Sequence, residues 1–512
     1  MKSHLIKITA LVGALFVAVL LTPMAMAQST WDGGGSDNDW TTAVNWNGDI
    51  APANDGSAVA VFAGSIRLTP QLDAAQDISQ IVFASGASSF DVGGSTLTLQ
   101  STSFSSSGSP IINNSSVLQT ISADITMGAS GGNSGIRTDG GDIALTGNLV
   151  NGTRKLILSG GNDLLISGNV SGAGFTGGTF LLNTGFTGVL TLSGSNTYTG
   201  NNEIRDGTLR VLSDNALGTG SADVVLNTSS ATPSLLIGGA FTVGHNVLVD
   251  GTTANPITVG GDTADNSFYS GDIKLGNTAG RALTVTAASG GTVQFDGNVV
   301  TSVSGSDDAD TVTKIGAGTA IFAGAANTYS GSTTVSAGTL LVNGAYTVAG
   351  QQVTVASGAS FGGTGTVNRE LSIADGATLI GGNGVAASGA LTVGADVTLD
   401  NNSKIRLVLG GGGTHSTLTR TSGTWVFDGD QSFTINLASA GTYLGVITGL
   451  TGAETGLGSI ATWSIDNPTY AGSVFSYDGF GNVDLSLVPE PATSLLIGLG
   501  LAGVLFGRKR RQ

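Results

Sequence analysis

Apolar residues along most of the chain fall in short alternating runs that are separated by Gly, Asn, Asp and Ser. Alternation with a period of two is typical of half-buried β-strands, and glycine-rich breaks are typical of tight turns. No amphipathic helix stands out between residues 28 and 487. The pattern therefore predicts an all-β body. Clear examples are 156–159, 164–167, 189–193, 208–212, 224–227, 283–286 and 391–393.

The beginning of the chain departs from this pattern. Lys2 and Lys7 precede an apolar stretch over 8–21, and small residues at Ala25 and Ala27 follow it. A basic start, an apolar stretch and a small-x-small site are typical of a secretory leader. We therefore expect a signal peptide that is cleaved between Ala27 and Gln28.

The end of the chain departs from it too. An uncharged apolar run covers 492–507, and a cluster of lysine and arginine follows it. Because basic residues next to an apolar run resist translocation, we expect the tail to stay in the cytoplasm and the body of the protein to lie outside. Sixteen helical residues span about 24 Å, less than the roughly 30 Å of a hydrocarbon core, which suits a temporary anchor. The flanking residues are Pro489, Glu490 and Pro491 before the run and Arg508, Lys509, Arg510 and Arg511 after it.

This order of prolines and glutamate, short apolar helix and basic cluster resembles the PEP-CTERM sorting signal of Gram-negative bacteria. The resemblance implies recognition by the membrane enzyme exosortase, processing at Pro489 to Pro491, and only transient residence in the inner membrane. The alternative is a plain tail anchor, in which the prolines merely end a strand and begin the helix.

An internal repeat is the second strong feature of the sequence. An Asn-x-Tyr-x-Gly block occurs twice, and a Gly-Thr-Leu element begins eleven residues after each Asn (207 − 196 and 338 − 327). The residues are Asn196, Tyr198, Gly200 and Gly207 in the first copy and Asn327, Tyr329, Gly331 and Gly338 in the second. We expect each Asn at a corner, bonded to backbone groups, and each Tyr covering a corner or stacking.

These blocks resemble the autotransporter-associated β-strand repeat, which implies a right-handed parallel β-helix. One coil of such a solenoid cannot bury its own apolar face, whereas coils stacked about 4.8 Å apart share a continuous core. The alternative is a β-sandwich of antiparallel hairpins, which glycine turns equally allow.

The pattern divides the chain into five parts. They are a signal peptide at 1–27, an N-terminal β region and cap at 28–150, a β-helix at 151–410 with repeats near 188–212 and 318–342, a C-terminal β region at 411–487, and the sorting signal at 488–512. Trp31, Trp40 and Trp46 are expected to form the N-terminal cap; exposed tryptophans that stack on sugars are the alternative. Aromatic residues around Trp425 and Trp463 predict a second β cap.

Composition and charge narrow the range of partners. The chain has 82 Gly in 512 residues, 11% charged residues, no Cys and a net charge of −16. Without the residues of the two expected tails, 13 basic (19 − 6) and 34 acidic (35 − 1) residues leave a net charge of −21. Such a surface repels phosphate backbones and anionic lipids, so we expect no nucleic-acid partner. Acidic residues that occur singly along the chain are typical of solvent-exposed turns.

Candidate catalytic and metal-binding residues are sparse. His245 and His415 are isolated, and a structural role or simple exposure is expected for both. Asp307, Asp308 and Asp310 could hold Ca²⁺, but a complete calcium loop is missing, and a solvated turn is the favoured interpretation. A glycan-cleaving enzyme needs paired carboxylates or a base on one lateral face, and only single candidates exist. These are Arg205 with Asp206, Lys404 with Arg406, and Asp428 with Asp430.

The sequence therefore predicts an exported, non-enzymatic β-solenoid without a cofactor at the cell surface, on the outer membrane or in the extracellular matrix of a Gram-negative bacterium. The resemblance implies a structural or adhesive role that accompanies exopolysaccharide and biofilm formation. Exosortase, extracellular polysaccharide and similar protein rods are the expected partners. A β-helix polysaccharide lyase or glycosidase is the alternative.

Overall fold

A computed structural model describes residues 27–489 except 129–130, 175–177, 228–230, 251–255, 277–279, 302–309 and 437–438. Residues 1–26 of the predicted signal peptide and the apolar run at 492–507 lie outside the described residues. Within the described part, no helix has the length and apolarity needed to span a bilayer.

The described chain coils into a β-solenoid of about 15 turns. Strands one turn apart pair in parallel along the body, and antiparallel ladders appear only in the last sheet of the described residues. Parallel pairing confirms the predicted β-helix and rules out a sandwich of hairpins for the body. Five sheets form its walls, numbered 1 to 5 in the following paragraphs.

Sheets 1 and 2 form two walls. Sheet 1 has 12 strands: Gln28–Trp31, Val59–Phe62, Gln80–Phe83, Ile111–Asn113, Gly132–Thr138, Arg154–Gly160, Gly178–Phe186, Asn201–Ile204, Val224–Asn227, Val247–Asp250, Ile273–Leu275 and Val299–Thr301. Sheet 2 runs nearly the full length with 16 strands: Gln71–Leu72, Asp91–Gly94, Gln119–Ile121, Ile143–Leu145, Leu164–Ile166, Val189–Leu192, Thr208–Val211, Ser234–Ile237, Ile257–Gly261, Ala282–Ala287, Thr311–Ile315, Thr333–Val335, Val353–Val355, Leu371–Ile373, Val397–Leu399 and Trp425–Val426.

Sheets 3, 4 and 5 complete the walls. Sheet 3 has five strands: Gln76–Ile78, Leu97–Leu99, Ile125–Met127, Leu149–Gly152 and Val170–Gly172. Sheet 4 has ten strands: Thr242–Val243, Asn266–Tyr269, Thr292–Phe295, Thr319–Phe322, Thr339–Val342, Ser360–Gly362, Thr378–Ile380, Lys404–Val408, Ser432–Asn436 and Ser464–Ile465. Sheet 5 has seven strands: Ala345–Tyr346, Thr366–Val367, Ala390–Val393, Thr417–Arg420, Gly441–Thr448, Asn482–Leu487 and Val474–Tyr477. Short 3₁₀ helices lie at Ala43–Asn45, Gly411–Gly413, Leu457–Thr462 and Pro468–Tyr470.

The core is a set of aliphatic columns along the solenoid axis. Leu209, Leu235, Val259 and Val285 pair in register inside sheet 2, and all four are fully buried. Burying one such side chain is worth about 2 kcal/mol. Each coil buries its inward residues only against its neighbours, so stability accumulates along the stack.

Glycines from successive coils stack directly on one another at the corners of the solenoid. A Cβ on Gly168 would lie 1.9 Å from the carbonyl oxygen of Gly147, and a Cβ on Gly344 would lie 1.8 Å from that of Gly324. A Cβ on Gly365 would in turn lie 1.7 Å from the oxygen of Gly344. Because no side chain fits at these distances, glycine is required wherever the coils approach so closely.

Asn and Asp side chains beside these corners form hydrogen bonds along the axis. Asn148 Oδ1 accepts a hydrogen bond from the backbone N of Asn169 at 3.1 Å, and Asn169 Oδ1 accepts one from Ser195 N at 2.8 Å. Farther along, Asp272 Oδ1 accepts from Asn298 N at 2.8 Å. We call these residues the Asx ladder. It corrects the interpretation of isolated acidic residues as merely solvated turns, because several of them join one coil to the next.

The N-terminal end is closed by aromatic packing. Trp31, Trp40 and Trp46 are fully buried, and the Trp46 ring lies 5.2 Å from Trp31 and 4.8 Å from Trp40 between centroids. Phe62 on the next coil packs against all three rings. A sugar needs an exposed ring face, so these tryptophans cannot serve as a carbohydrate platform in this arrangement.

The C-terminal end is closed differently. The strands Gly441–Thr448, Asn482–Leu487 and Val474–Tyr477 pair antiparallel and extend sheet 5. Beneath them Phe433 stacks on Phe475 with ring centroids 4.2 Å apart. A change from parallel to antiparallel pairing ends the regular coiling, as a cap must.

Candidate functional site

Each sequence repeat builds one short coil. In the first copy Val189 pairs with Thr208, nineteen residues later (208 − 189). In the second copy Thr319 pairs with Thr339, twenty residues later (339 − 319). The Gly-Thr-Leu strand therefore stacks directly on the strand that precedes the Asn. The first copy does so in sheet 2 and the second in sheet 4.

The repeat asparagines join three consecutive coils. Asn196 Oδ1 accepts from Val170 N at 2.7 Å, and its Nδ2 donates to Ala216 O at 2.6 Å. Asn327 does the same, accepting from Val299 N at 2.8 Å and donating to Ala345 O at 3.2 Å. Both asparagines are buried. Each therefore satisfies backbone groups of the coil before it and the coil after it.

The repeat tyrosines lie inside the coil. Tyr198 and Tyr329 are fully buried, and the hydroxyl of Tyr198 lies 2.9 Å from Asn202 Oδ1. The hydroxyl of Tyr329 lies 2.7 Å from Thr333 Oγ1, and both partners stand four residues after their tyrosine. Burial raises the pKa of Tyr198, so its hydroxyl keeps its proton. Each ring fills the core beneath its corner.

Three of the four repeat glycines occupy positions that exclude a side chain. Gly207 and Gly338 have φ of 69° and 65°, in the left-handed region. A Cβ on Gly207 would lie 2.7 Å from Gly188 O, and one on Gly338 would lie 2.4 Å from Gly318 O. At Gly331 a Cβ would lie 1.5 Å from Asp310 O. Gly200 is buried at the end of the first block.

Two buried cations lie against the second repeat copy. The ammonium of Lys314 donates to the carbonyl oxygens of Ile315 and Gly316 at 2.8 Å each, and burial lowers its pKa to about 8. The guanidinium of Arg369 lies between two tyrosine rings, 4.4 Å from the centroid of Tyr329 and 4.6 Å from that of Tyr346. Both cations bond to backbone carbonyls and have a structural role.

The candidate catalytic charges form local contacts. Arg205 pairs with Glu203 at 2.6 Å, and Lys404 pairs with Asp466. Arg406 donates to Gly384 O at 2.9 Å, and Asp428 accepts from Asn402 N at 3.1 Å. Across the described ranges, no group of three His, Cys, Asp or Glu residues could hold a metal ion.

The remaining candidates are hydrogen-bonded within the fold. The ring of His415 contacts Leu444 O at 2.8 Å through Nε2, and burial lowers the pKa of His245. Asp310 is 2% exposed and its Oδ1 accepts from Arg281 N at 2.8 Å. Asp307 and Asp308, the other two residues of the candidate calcium loop, lie outside the described residues.

The most regular surface feature is a column of hydroxyls on sheet 2. Nine successive coils place a Ser or Thr at the same outward position, each in register with the next. The spacing between neighbours is that of paired strands, about 4.8 Å. We call this the hydroxyl column, and its members are Thr208, Ser234, Thr258, Thr284, Thr313, Thr334, Thr354, Ser372 and Thr398.

Along the strands of sheet 2, the residue of the hydroxyl column faces outward between residues that face the core. Tripeptides such as Ile257-Thr258-Val259 and Val353-Thr354-Val355 place the hydroxyl between two buried aliphatic residues. None of the nine hydroxyls is hydrogen-bonded to another group of the described chain. The sequence analysis missed this column, although its aliphatic-Thr-aliphatic tripeptides were a visible signal.

The two predicted processing sites lie at the limits of the described residues. Gln28 begins the first strand, and the carbonyl of Ala27 accepts a hydrogen bond from Val59 N at 2.9 Å. Pro489 is exposed two residues after the last strand ends at Leu487. Glu490, Pro491 and the basic cluster Arg508 to Arg511 lie outside the described residues.

Comparisons with known proteins agree with the two resemblances. A model of the passenger-associated transport repeat matches residues 187–211 and 312–342, and a model of the PEP-CTERM protein-sorting motif matches residues 487–511. The adhesin BmaC autotransporter of Brucella suis biovar 1 (strain 1330) is 30% identical over 255 residues, which is 46% of this chain. The chain spans about 7% of that protein's length. No solved structure matches the chain.

The sorting motif implies exosortase as the processing partner. Together with the match to an autotransporter adhesin, it indicates an exported cell-surface protein of a Gram-negative bacterium. The chain is thus a β-solenoid that carries passenger-associated transport repeats and ends in a PEP-CTERM sorting motif.

Proposed function

We propose that the protein is a non-enzymatic rod of the cell surface or matrix, with a structural or adhesive role in exopolysaccharide and biofilm formation. The observation that carries this proposal is sheet 2, whose 16 strands present one lateral face along the solenoid. A long regular face suits many weak contacts to a polymer or to other rods better than it suits one enclosed reaction site. The similarity to an adhesin supports the same role.

The maturation route belongs to the proposal. Signal peptidase cleaves between Ala27 and Gln28, and the C-terminal apolar helix then holds the protein in the inner membrane with Arg508 to Arg511 inside. Exosortase processes the chain at Pro489 to Pro491. The exposure of Pro489, beyond the last strand, leaves the motif accessible to an enzyme in the membrane.

The ligand class follows from charge. A chain with a net charge of −16 repels nucleic acids and other polyanions, so extracellular polysaccharide and similar rods are the proposed partners. No cofactor is proposed. The alternative of a lyase or glycosidase requires paired charged groups, and the candidates named for it are engaged in separate local contacts.

The maturation proposal is tested by mass spectrometry of the C-terminus in cells with and without exosortase. We expect the wild-type protein to lack residues 492–512 and to retain them in the exosortase deletion strain. The variant Glu490→Ala should retain them in both strains, and Glu370→Ala, which leaves the motif intact, should behave as wild type. A mature protein that keeps the apolar run in the presence of exosortase contradicts the proposal.

The functional proposal is tested with the secreted, processed protein. We expect it to bind cells or purified matrix and to restore biofilm to a deletion strain. Reducing-end and unsaturated-uronate assays on acidic and neutral polysaccharides should show no turnover. Turnover that is lost on substitution of Asp428 would establish the enzymatic alternative instead.

A further inference from the structure

We propose that the hydroxyl column of sheet 2 is the glycan-binding surface, and that its ligand is a linear, uncharged polysaccharide lying parallel to the solenoid axis. This inference rests on the proposed adhesive function and names the site and the ligand class. The column offers one hydroxyl per coil over nine coils, and none of these hydroxyls has a partner within the described chain.

Strand propensity alone does not explain the column. Threonine is favoured in strands, so propensity should fill all outward positions alike. The neighbouring outward column of the same strands instead contains Arg210, Leu236, Gly260, Thr286 and Ile315 in consecutive register. Within sheet 2, hydroxyls are thus concentrated at one of the two outward positions, and sheet 4 has a shorter hydroxyl column that begins at Thr292.

The centre of the column is tightly packed and still has an unbonded hydroxyl. Thr284 is only 9% exposed, and within the described residues its side chain has no hydrogen-bond partner. The oxygen of Thr284 is not among the fully buried unpartnered atoms of the described residues, so it faces solvent, and a ligand lying on the sheet can replace water as its hydrogen-bond partner. Thr258 and Thr313, its neighbours in register on either side, add two more hydroxyls that are half-buried.

A single straight column suits a polymer better than a flat lattice. An ordered ice plane needs regular contacts in two directions, whereas the neighbouring column alternates between Arg, Leu, Gly, Thr and Ile. An extended β-linked chain likewise repeats along one axis, so it can lie along a column whose hydroxyls are about 4.8 Å apart. Hydroxyls can therefore meet successive sugars while Leu236 and Ile315 contact apolar ring faces.

Charge favours a neutral ligand. The one cation of the neighbouring column, Arg210, is paired with Asp262 at 2.6 Å. The chain has a net charge of −16, which opposes acidic polysaccharides. A neutral polysaccharide avoids this repulsion and bonds well to hydroxyls.

The test compares two sets of threonines on the secreted, processed protein. The first set is Thr258→Val, Thr284→Val and Thr313→Val together, which removes three hydroxyls of the column. The control set is Thr292→Val, Thr319→Val and Thr339→Val, an in-register column of sheet 4 that directly follows corner glycines. Valine keeps the β-branched shape, and far-UV circular dichroism checks the fold of each set.

Binding is measured on an array of cellulose, chitin, xylan and mannan, with alginate as a charged comparator. We expect the wild type and the control set to bind at least one neutral polysaccharide, and the first set to bind it at least about thirtyfold more weakly because three hydrogen bonds are lost. The corresponding three Thr→Ser substitutions should restore binding. If the valine set does not fold, Thr354→Arg, at an exposed position of the column, should weaken binding about tenfold.

Several results would overturn the inference. One is that the first set binds as tightly as the wild type. Another is that the wild type binds none of the neutral polysaccharides. Self-association or ice-recrystallisation activity that only the first set lacks, without glycan binding, would assign the column to another occupant. If cell or matrix adhesion persists in those cases, the proposed function stands and only this surface is wrong; if adhesion is also absent, both fail.

Discussion

The two repeat copies use the same residues on different walls of the solenoid. The first copy stacks its Gly-Thr-Leu strand in sheet 2 and the second in sheet 4, yet both asparagines bond to the coil before and the coil after. The motif is therefore a unit of one coil that does not depend on the wall it occupies.

The surroundings of the tyrosines differ. Tyr198 meets Phe180 edge-on at 5.5 Å, and Tyr329 meets Tyr346 at the same distance and nearly the same angle. Only the second of these pairs is covered by a guanidinium, that of Arg369. The comparison suggests that the corner itself is invariant and that each copy adapts its core contacts to the local coil.

The largest expected effect is at the corner glycines. Gly207→Ala and Gly338→Ala combine a left-handed φ with a collision against a backbone oxygen, and each should lower the free energy of unfolding by about 4 kcal/mol. Urea unfolding with hydrogen exchange of the repeat strands measures this. The control is Gly429→Ala, where a Cβ would meet nothing within 4 Å. A large effect in only one copy would show that the corners are not equivalent.

The asparagines come next. Asn196→Ala and Asn327→Ala each leave a buried N–H and at least one carbonyl without the side-chain partner, which should cost about 3 kcal/mol in either copy. Asn401→Ala, at an exposed turn, should change stability by less than about 0.5 kcal/mol. Thermal unfolding decides this, and an asparagine variant as stable as the Asn401 control would refute the bridging role.

The buried lysine should make the second copy sensitive to pH. The folded pKa of Lys314 is lowered to about 8 from 10.5 by burial, so the unfolded chain binds the proton more strongly between these values. Its cost to stability is full below pH 8 and is lost as pH rises toward 10.5. The stability of the wild type relative to Lys314→Met should therefore rise across this window, as measured by urea unfolding at fixed pH values. A difference that is constant with pH would contradict the lowered pKa.

The smallest expected effect is at the tyrosine hydroxyls. Tyr198→Phe and Tyr329→Phe keep the rings in the core and remove one bonded hydroxyl each, so each should cost about 1 kcal/mol. Tyr470→Phe, whose ring is only partly buried, is the control. Differential scanning calorimetry should resolve the shift in Tm, and a larger loss at Tyr329 would show that its bond to Tyr346 adds to the second copy.

Local sequence patterns predicted the strands, the parallel solenoid and the aromatic closure of both ends. Alternating residues report directly which side chains face inward, and a repeated block reports stacking, because both signals are contained in short stretches of chain. The burial of Trp31, Trp40 and Trp46 follows from the same logic, since three large rings close together in an exported protein need a core.

The register of the hydroxyl column and the positions of the buried cations could not be predicted in the same way. Successive members of the column are separated by 18 residues from Thr354 to Ser372 (372 − 354) and by 29 from Thr284 to Thr313 (313 − 284). Turns of unequal length hide such a period from any fixed spacing. The inward position of Lys314 likewise becomes visible only when its pairing with Val285 and Val335 is known.

The stacked glycines at the corners also determine the length of the rod. Because Gly168, Gly344 and their equivalents let each turn settle on the one beneath it, about 15 turns at about 4.8 Å give a rod of roughly 70 Å. Adding or deleting one turn would change that length by a single fixed increment and leave the lateral walls in line. A bacterium could thus adjust how far from its envelope a contact is made by altering the number of turns, without redesigning the surface that makes the contact.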